Sequence, residues 1–223
     1  VSNSGIIFQK IAGPSEIQKR INPTLRQELV EYFLYFLRVF VSVAVIYVVI
    51  RWTIFDVIGI SGKSMYPTYD TADVIYIDQL TPKFGTFLRG EVVVLKSPPD
   101  ISGKRDLFIK RVIGLPGEKV VFENGSVFIY NADYTNGVQL NESSYLAPTA
   151  TTYKNLNSGG QRYEEVLLGK NQYYVLGDNR GGSADSRSFG PIEKKDILGR
   201  EFYRVLPAEK SGFYKVPKYN ISN

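Results

Sequence analysis

Three short segments of this 223-residue sequence hold the side chains around which chemistry could be organised, and the residues missing elsewhere narrow what that chemistry is. There is no histidine, which excludes a Ser-His-Asp triad, a histidine base and histidine metal ligands. There is no cysteine, which excludes disulfides, thiolate nucleophiles and cysteine metal sites. A nucleophilic serine in this chain needs another base, and lysine is the available amine. The first segment, Gly59-Ile60-Ser61-Gly62-Lys63-Ser64-Met65-Tyr66-Pro67-Thr68, presents Ser64 between turn-forming residues and a proline. The same fragment also reads as a Ser/Gly/Pro turn with a solvated hydroxyl.

The second segment runs from Asp106 to Gly117. As a strand, Leu107–Ile113 places Lys110 on one face with Phe108 and Val112, and Arg111 on the other with Ile109 and Ile113. In water a lysine has a pKa of about 10.4, so only about one in 2,500 is neutral at pH 7. Burial beside Phe108 and Val112 would disfavour the ammonium and create a usable base. An edge strand carrying two solvated cations is the competing reading. The third segment, Gly177 to Gly190, follows the apolar run Tyr173–Leu176. Alone it is a polar turn. Beside the other two it offers Ser183 to orient an amine, with Asp185 and Arg187 as a carboxylate–guanidinium pair to brace the loop.

The elements that must position these groups are mostly strands. Asp73–Asp78, Glu91–Leu95, Leu107–Ile113, Lys119–Phe122, Ser126–Tyr130, Gln172–Leu176 and Phe202–Val205 alternate or run apolar between turn signals. With 16 Tyr and 13 Phe, the composition suits a β-rich body. Long helical patterns are absent from this region, and Asn131–Lys170 reads as an irregular, polar insertion.

Ahead of this body lies Tyr32–Ile50, 19 residues carrying one charge, Arg38. As a helix it is about 28 Å long, which suits a transmembrane anchor. A cleavable leader needs a small-x-small site nearby, and Arg51–Phe55 offers none. A buried core helix is disfavoured because the run is apolar all round. Lys10, Lys19, Arg20 and Arg26 precede it, so the positive-inside rule keeps residues 1–31 cytoplasmic and sends the rest to the far side. Although the net charge is +5, residues 52–223 hold 21 basic against 19 acidic residues. That is no footprint for nucleic acid.

Taken together and in this order, the three segments resemble bacterial type I signal peptidases, the membrane-bound Ser/Lys endopeptidases that remove signal peptides from exported proteins. Ser64-Met65-x-Pro67-Thr68 is similar to the nucleophile box, Lys110 to Gly117 to the general-base box, and Gly177-Asp178-Asn179-Arg180 with Ser183-x-Asp185-Ser186-Arg187 to the last signature box. Gly90 to Val94 matches the intervening strand, and Asn141-Glu142-x-x-Tyr145-Leu146 resembles part of the inserted subdomain.

The resemblance implies a mainly β fold: a cytoplasmic segment at 1–31, an anchor at 32–52 and an extracytoplasmic catalytic domain at 53–223 with a subdomain inserted at about 123–171. It implies Ser64 as nucleophile and Lys110 as base, with Ser183 holding the amine in line and Asp185 and Arg187 shaping the loop. The Ser64 N–H becomes an oxyanion donor. Gly62 stands where some relatives carry a serine that assists, and it offers no side chain. Ile60, Met65, Phe108 and Ile109 are expected to line shallow pockets for small residues at the first and third positions before the cut. The expected partners are preprotein signal peptides and the lipid bilayer, with no nucleic acid, metal or cofactor. Two rivals stand beside this reading: a membrane-tethered β-rich binding module without catalysis, and another Ser/Lys protease of the self-cleaving kind.

Overall fold

The structure, a computed structural model, describes residues 25–153 and 163–221. The chain divides into two compact units, Val1–Ile50 and Arg51–Asn223. The first is represented by helix α1, Leu25–Thr53, which starts seven residues before the predicted Tyr32. The added turns are built from good helix formers (Leu25, Arg26, Gln27, Glu28, Leu29), and Glu28 in the first turn complements the helix dipole. Within it, Leu25–Ile50 is long and apolar enough to cross a membrane, and none of it is buried. The Ser42 hydroxyl returns a hydrogen bond to the Arg38 carbonyl (2.9 Å), so this polar group is satisfied inside the helix.

The second unit is mainly β. Its strands are β1 (Phe55–Gly59), β2 (Val74–Asp78), β3 (Val92–Lys96), β4 (Leu107–Gly114), β5 (Lys119–Glu123), β6 (Ser126–Tyr130), β7 (Val138–Gln139), β8 (Tyr163–Leu167), β9 (Gln172–Leu176), β10 (Ile192–Glu193), β11 (Ile197–Leu206) and β12 (Gly212–Phe213). Among the described residues they form an eight-stranded sheet in the order β1-β2-β11-β3-β4-β9-β10, with β12 on β11, and a four-stranded sheet in the order β7-β6-β5-β8. Neighbouring strands are antiparallel throughout.

The seven predicted strands lie within a residue or two of these except at β11, and β1, β7, β8, β10 and β12 are additional. β11 begins at Ile197 and not Phe202, because Gly199, Arg200 and Glu201 break the apolar pattern while still pairing with β2 and β3. Asp56 and Gly59 hide β1 in the same way. The insertion is not wholly irregular. Tyr163–Leu167 pairs along β5, with Val166 against the apolar core.

Core packing decides which residues of the site are held. One cluster, including Ile113, Val120, Val127, Ile129 and Leu176, joins the smaller sheet to β4 and β9. A second gathers Val93, Leu95, Val112 and Val175. A third surrounds the segment after β1 with Ile60, Met65, Tyr69, Ile75 and Val94. β4 is therefore covered on both faces, and although its Leu107–Lys110 half lacks a partner on the β9 side, Lys110 and Arg111 are buried and not the solvated cations of the competing reading. Full burial of each large apolar side chain contributes about 1.5–3 kcal/mol, so the loops hung on these clusters are held firmly.

Candidate active site

Ser64 sits on the connection between β1 and β2. Both ends of that connection are tied: Ile60 and Asp73 are linked by N–H···O at 2.8 Å, and the Ala72 N–H reaches the Ile60 carbonyl at 2.9 Å. Inside it, the Tyr66 N–H bonds the Lys63 carbonyl (3.1 Å) and the Tyr69 N–H bonds the Met65 carbonyl (2.9 Å). The Met65 and Tyr69 side chains plug into the third cluster, each 1% exposed. The Tyr69 hydroxyl donates to buried Glu201 on β11, while burial lifts that carboxyl to a pKa of about 7. Gly62 has φ +94°, a left-handed conformation that glycine adopts without strain.

The segment after β9 locks this connection from the other side. The Asn179 N–H donates to the Ser64 carbonyl (3.0 Å), and its side-chain amide donates to the Lys63 carbonyl (3.1 Å). A Cβ at Gly177 would collide with Ser183 Oγ and with the Ser64 carbonyl, so glycine is required for this close approach. The Ser64 N–H itself donates to no other group among the described residues.

Lys110 enters from β4. Its Nζ lies 2.9 Å from Ser64 Oγ and 2.8 Å from the Ile109 carbonyl, and 4.9 Å from the Phe108 ring centroid. The side chain is nearly inaccessible, at 2% exposure. Among the described residues no carboxylate forms an ion pair with it. Burial pushes its pKa down to about 8, although the charges of Asp185 and Asp178 act in the opposite direction.

Three further ion pairs build the walls. The Arg111 guanidinium grips Asp178 through Nε (2.8 Å) and Nη2 (2.6 Å), and Nη1 donates to the Gly90 carbonyl at 2.9 Å. The Thr68 hydroxyl also reaches Asp178, tying the serine segment to the same carboxylate. Arg180 holds Glu142 in two-pronged fashion (2.9 and 2.5 Å) and the Gly177 carbonyl through Nε (3.1 Å). Arg187 grips Asp185 by two bonds of 2.8 Å, and Asp185 also accepts the Gly177 N–H at 3.0 Å. The sequence reading assigned roles to Asp185 and Arg187 but none to Arg111, Asp178, Arg180 and Glu142. The available signal was the adjacency of two cations in an apolar strand, of which only one was pursued.

A cleft of about 480 Å³ opens in front of Ser64 and Lys110. Of the four residues expected to line it, Ile60, Phe108 and Ile109 do so. Met65 does not: Ser64 faces out and its neighbour turns inward, so the thioether fills core instead. Gly182 and Ala184 also line the cleft. Ser183 also departs from expectation. Its Oγ is buried without a hydrogen-bond partner among the described residues, so it does not hold the Lys110 amine in this structure. The Ile109 carbonyl does. Among the described residues, no group of three or more His, Cys, Asp or Glu is placed to hold a metal.

A serine hydroxyl set against a buried lysine amine at an open cleft is an arrangement that a serine hydrolase without histidine can use. The chain is similar to several known proteins. The model of the family described as Signal peptidase, peptidase S26, matches residues 33–206. Probable signal peptidase I-2 of Synechocystis sp. is 33% identical over 174 residues, covering 77% of this chain and 72% of its own. Signal peptidase I of Bacillus caldolyticus is 30% identical over 179 residues, covering 78% and 91%. A solved signal peptidase I from Enterococcus faecalis V583 aligns at 27% identity with a TM-score of 0.37, over 52% of this chain and 96% of that one. The chain belongs to the signal peptidase family, peptidase S26, whose members are serine endopeptidases.

Proposed function

We propose that this chain is a membrane-anchored signal peptidase that cuts preproteins after small-x-small sites, with Ser64 as nucleophile and Lys110 as general base. The observation that carries this reading is the 2.9 Å contact between a buried, carboxylate-free amine and the Ser64 hydroxyl. With a pKa of about 8, roughly one amine in eleven is neutral at pH 7, some two hundred times the fraction of a free lysine. The neutral amine takes the Ser64 proton, and Oγ attacks the scissile carbonyl to give a tetrahedral oxyanion. The Ser64 N–H, unengaged among the described residues, receives that charge, and Gly62 contributes backbone only. The Lys110 ammonium then gives its proton to the leaving amine as the acyl-enzyme forms. It later takes one from the water that hydrolyses the ester, and the released Ser64 oxygen is reprotonated.

Two free strand edges face the cleft. β1 ends the larger sheet, and β9 pairs with β4 only from Arg111 onward, leaving Leu107–Lys110 open on that side. A substrate laid between them as an extended strand hydrogen-bonds backbone to backbone, which leaves its side chains to decide specificity. Ile60, Ile109 and Ala184 line the cleft, and in this reading they exclude larger side chains by shape.

The anchor within α1 holds the enzyme where preproteins emerge. The basic residues before it place residues 1–31 in the cytoplasm and the catalytic unit outside. The test is cleavage, by the full chain in detergent, of a preprotein with Ala-x-Ala before its mature start. The parent is expected to cut after the second alanine, and Ser64→Ala and Lys110→Ala each to lose at least about a thousandfold in kcat/KM. Undiminished cutting by both variants would show that the nucleophile lies elsewhere, and an inert parent would favour the tethered binding module.

A further inference from the structure

A second cavity, of about 440 Å³, lies beside the catalytic cleft, and Ile58 and Leu107 line both. Its floor is apolar, with Ile77 and Ile197 below, but its mouth carries Lys83, Lys194 and Lys195 against the single carboxylate of Asp56. None of the three ammonium groups has an ion pair or side-chain hydrogen bond among the described residues. The nearest carboxylates on the chain are taken: Asp196 pairs with Arg105 at 2.8 Å, and Glu193 accepts from Gln172 at 3.0 Å. Asp56 accepts its neighbour's Val57 N–H at 2.8 Å. A pocket with apolar walls and three ammonium groups unpaired among the described residues therefore adjoins the substrate cleft.

The geometry points to a charge-selective subsite: we propose that this cavity receives the side chain of the fifth substrate residue before the cut, favouring an acidic side chain and rejecting a basic one. The inference rests on the proposed substrate path. From Lys110 back to Leu107 is three strand residues, about 10 Å, enough for three residues of a paired substrate strand. Side chains alternate along a strand, so if the first and third residues enter the shallow pockets, the fifth points the same way, one step past Leu107. A carboxylate there meets three ammonium groups, while its methylenes cover Ile58 and Leu107. A lysine meets like charge and is repelled. The rim is solvated, so the discrimination is moderate and falls with salt.

The test uses the full chain in neutral detergent and three Ala-x-Ala peptides that differ only in Glu, Gln or Lys at the fifth residue before the cut. The parent is expected to show KM rising in the order Glu, Gln, Lys, with about five- to tenfold between the extremes. The difference should shrink severalfold in 1 M salt. The triple variant Lys83→Glu/Lys194→Glu/Lys195→Glu should reverse the order, with the Gln peptide again between the other two. Equal constants for all three peptides in the parent would overturn the subsite and leave the protease intact, whereas no cleavage of any of them would strike the underlying reading. Repeating the Gln assay in vesicles rich in anionic phospholipid separates a membrane role. If the triple variant differs from the parent only there, the lysines contact headgroups and the subsite is overturned.

Discussion

Lys110 and Arg111 are adjacent cations on one strand, both at most 2% exposed, and the protein treats them in opposite ways. Arg111 meets Asp178 in a planar, two-bond clasp. Burial alone would weaken its charge, but the Asp178 carboxylate outweighs that penalty and pushes the guanidinium pKa well up. Lys110 meets only a hydroxyl, a backbone carbonyl and a phenyl ring. The distant charges of Asp185 and Asp178 repay only part of the lost hydration, so its charge is weakened and the pKa falls to about 8. Burial is common to both, and pairing separates them. A paired cation is a brace; an unpaired one becomes a base.

Breaking the clasp should have the largest effect. Asp178→Ala strands a buried guanidinium and detaches Thr68, and it is expected to cost about 3–5 kcal/mol in urea unfolding of the detergent-solubilised chain. Removing the other cation should do the reverse. The folded pKa of Lys110 lies below its ordinary 10.5, so between pH 8 and 10.5 the unfolded chain binds a proton that the native chain does not, and native stability rises with pH across that window. Below pH 8 the whole penalty is present. Lys110→Met should therefore stabilise the inactive protein by about 3 kcal/mol at pH 7, a gain that vanishes above pH 10.5. A smaller change sharpens the contrast: Arg111→Lys keeps the charge but loses the planar fork, and it should cost about 1–2 kcal/mol with cleavage retained. The same denaturation curves, with one cleavage assay, check all three.

Much of this contrast could be anticipated from residue order, because alternation along Leu107–Ile113 already sends the two cations to opposite faces. That both faces are covered could not. Ile113 meets the smaller sheet and Val112 a different cluster, contacts between segments far apart in the chain. The Arg111–Asp178 clasp spans 67 positions, and Arg180–Glu142 spans 38, so neither partner was marked by local pattern. Asp185 and Arg187, two residues apart, were. The spacing of its segment singled out Ser64, whereas Met65 was assigned to the cleft by the family resemblance, and the turn that carries it buries its side chain in the core. The Ser183 hydroxyl, expected at the amine, is buried without a partner among the described residues while a backbone carbonyl holds the amine, and backbone carbonyls leave no trace in side-chain patterns.

The central claim is that Lys110 is poised as a base because it is buried and unpaired. Its most direct test is the pH dependence of kcat/KM for the full chain on an Ala-x-Ala substrate, since that profile reports groups of the free enzyme. A rising limb with its midpoint near pH 8 is the predicted result. A limb centred near 10.5, or none across the alkaline range, would contradict it.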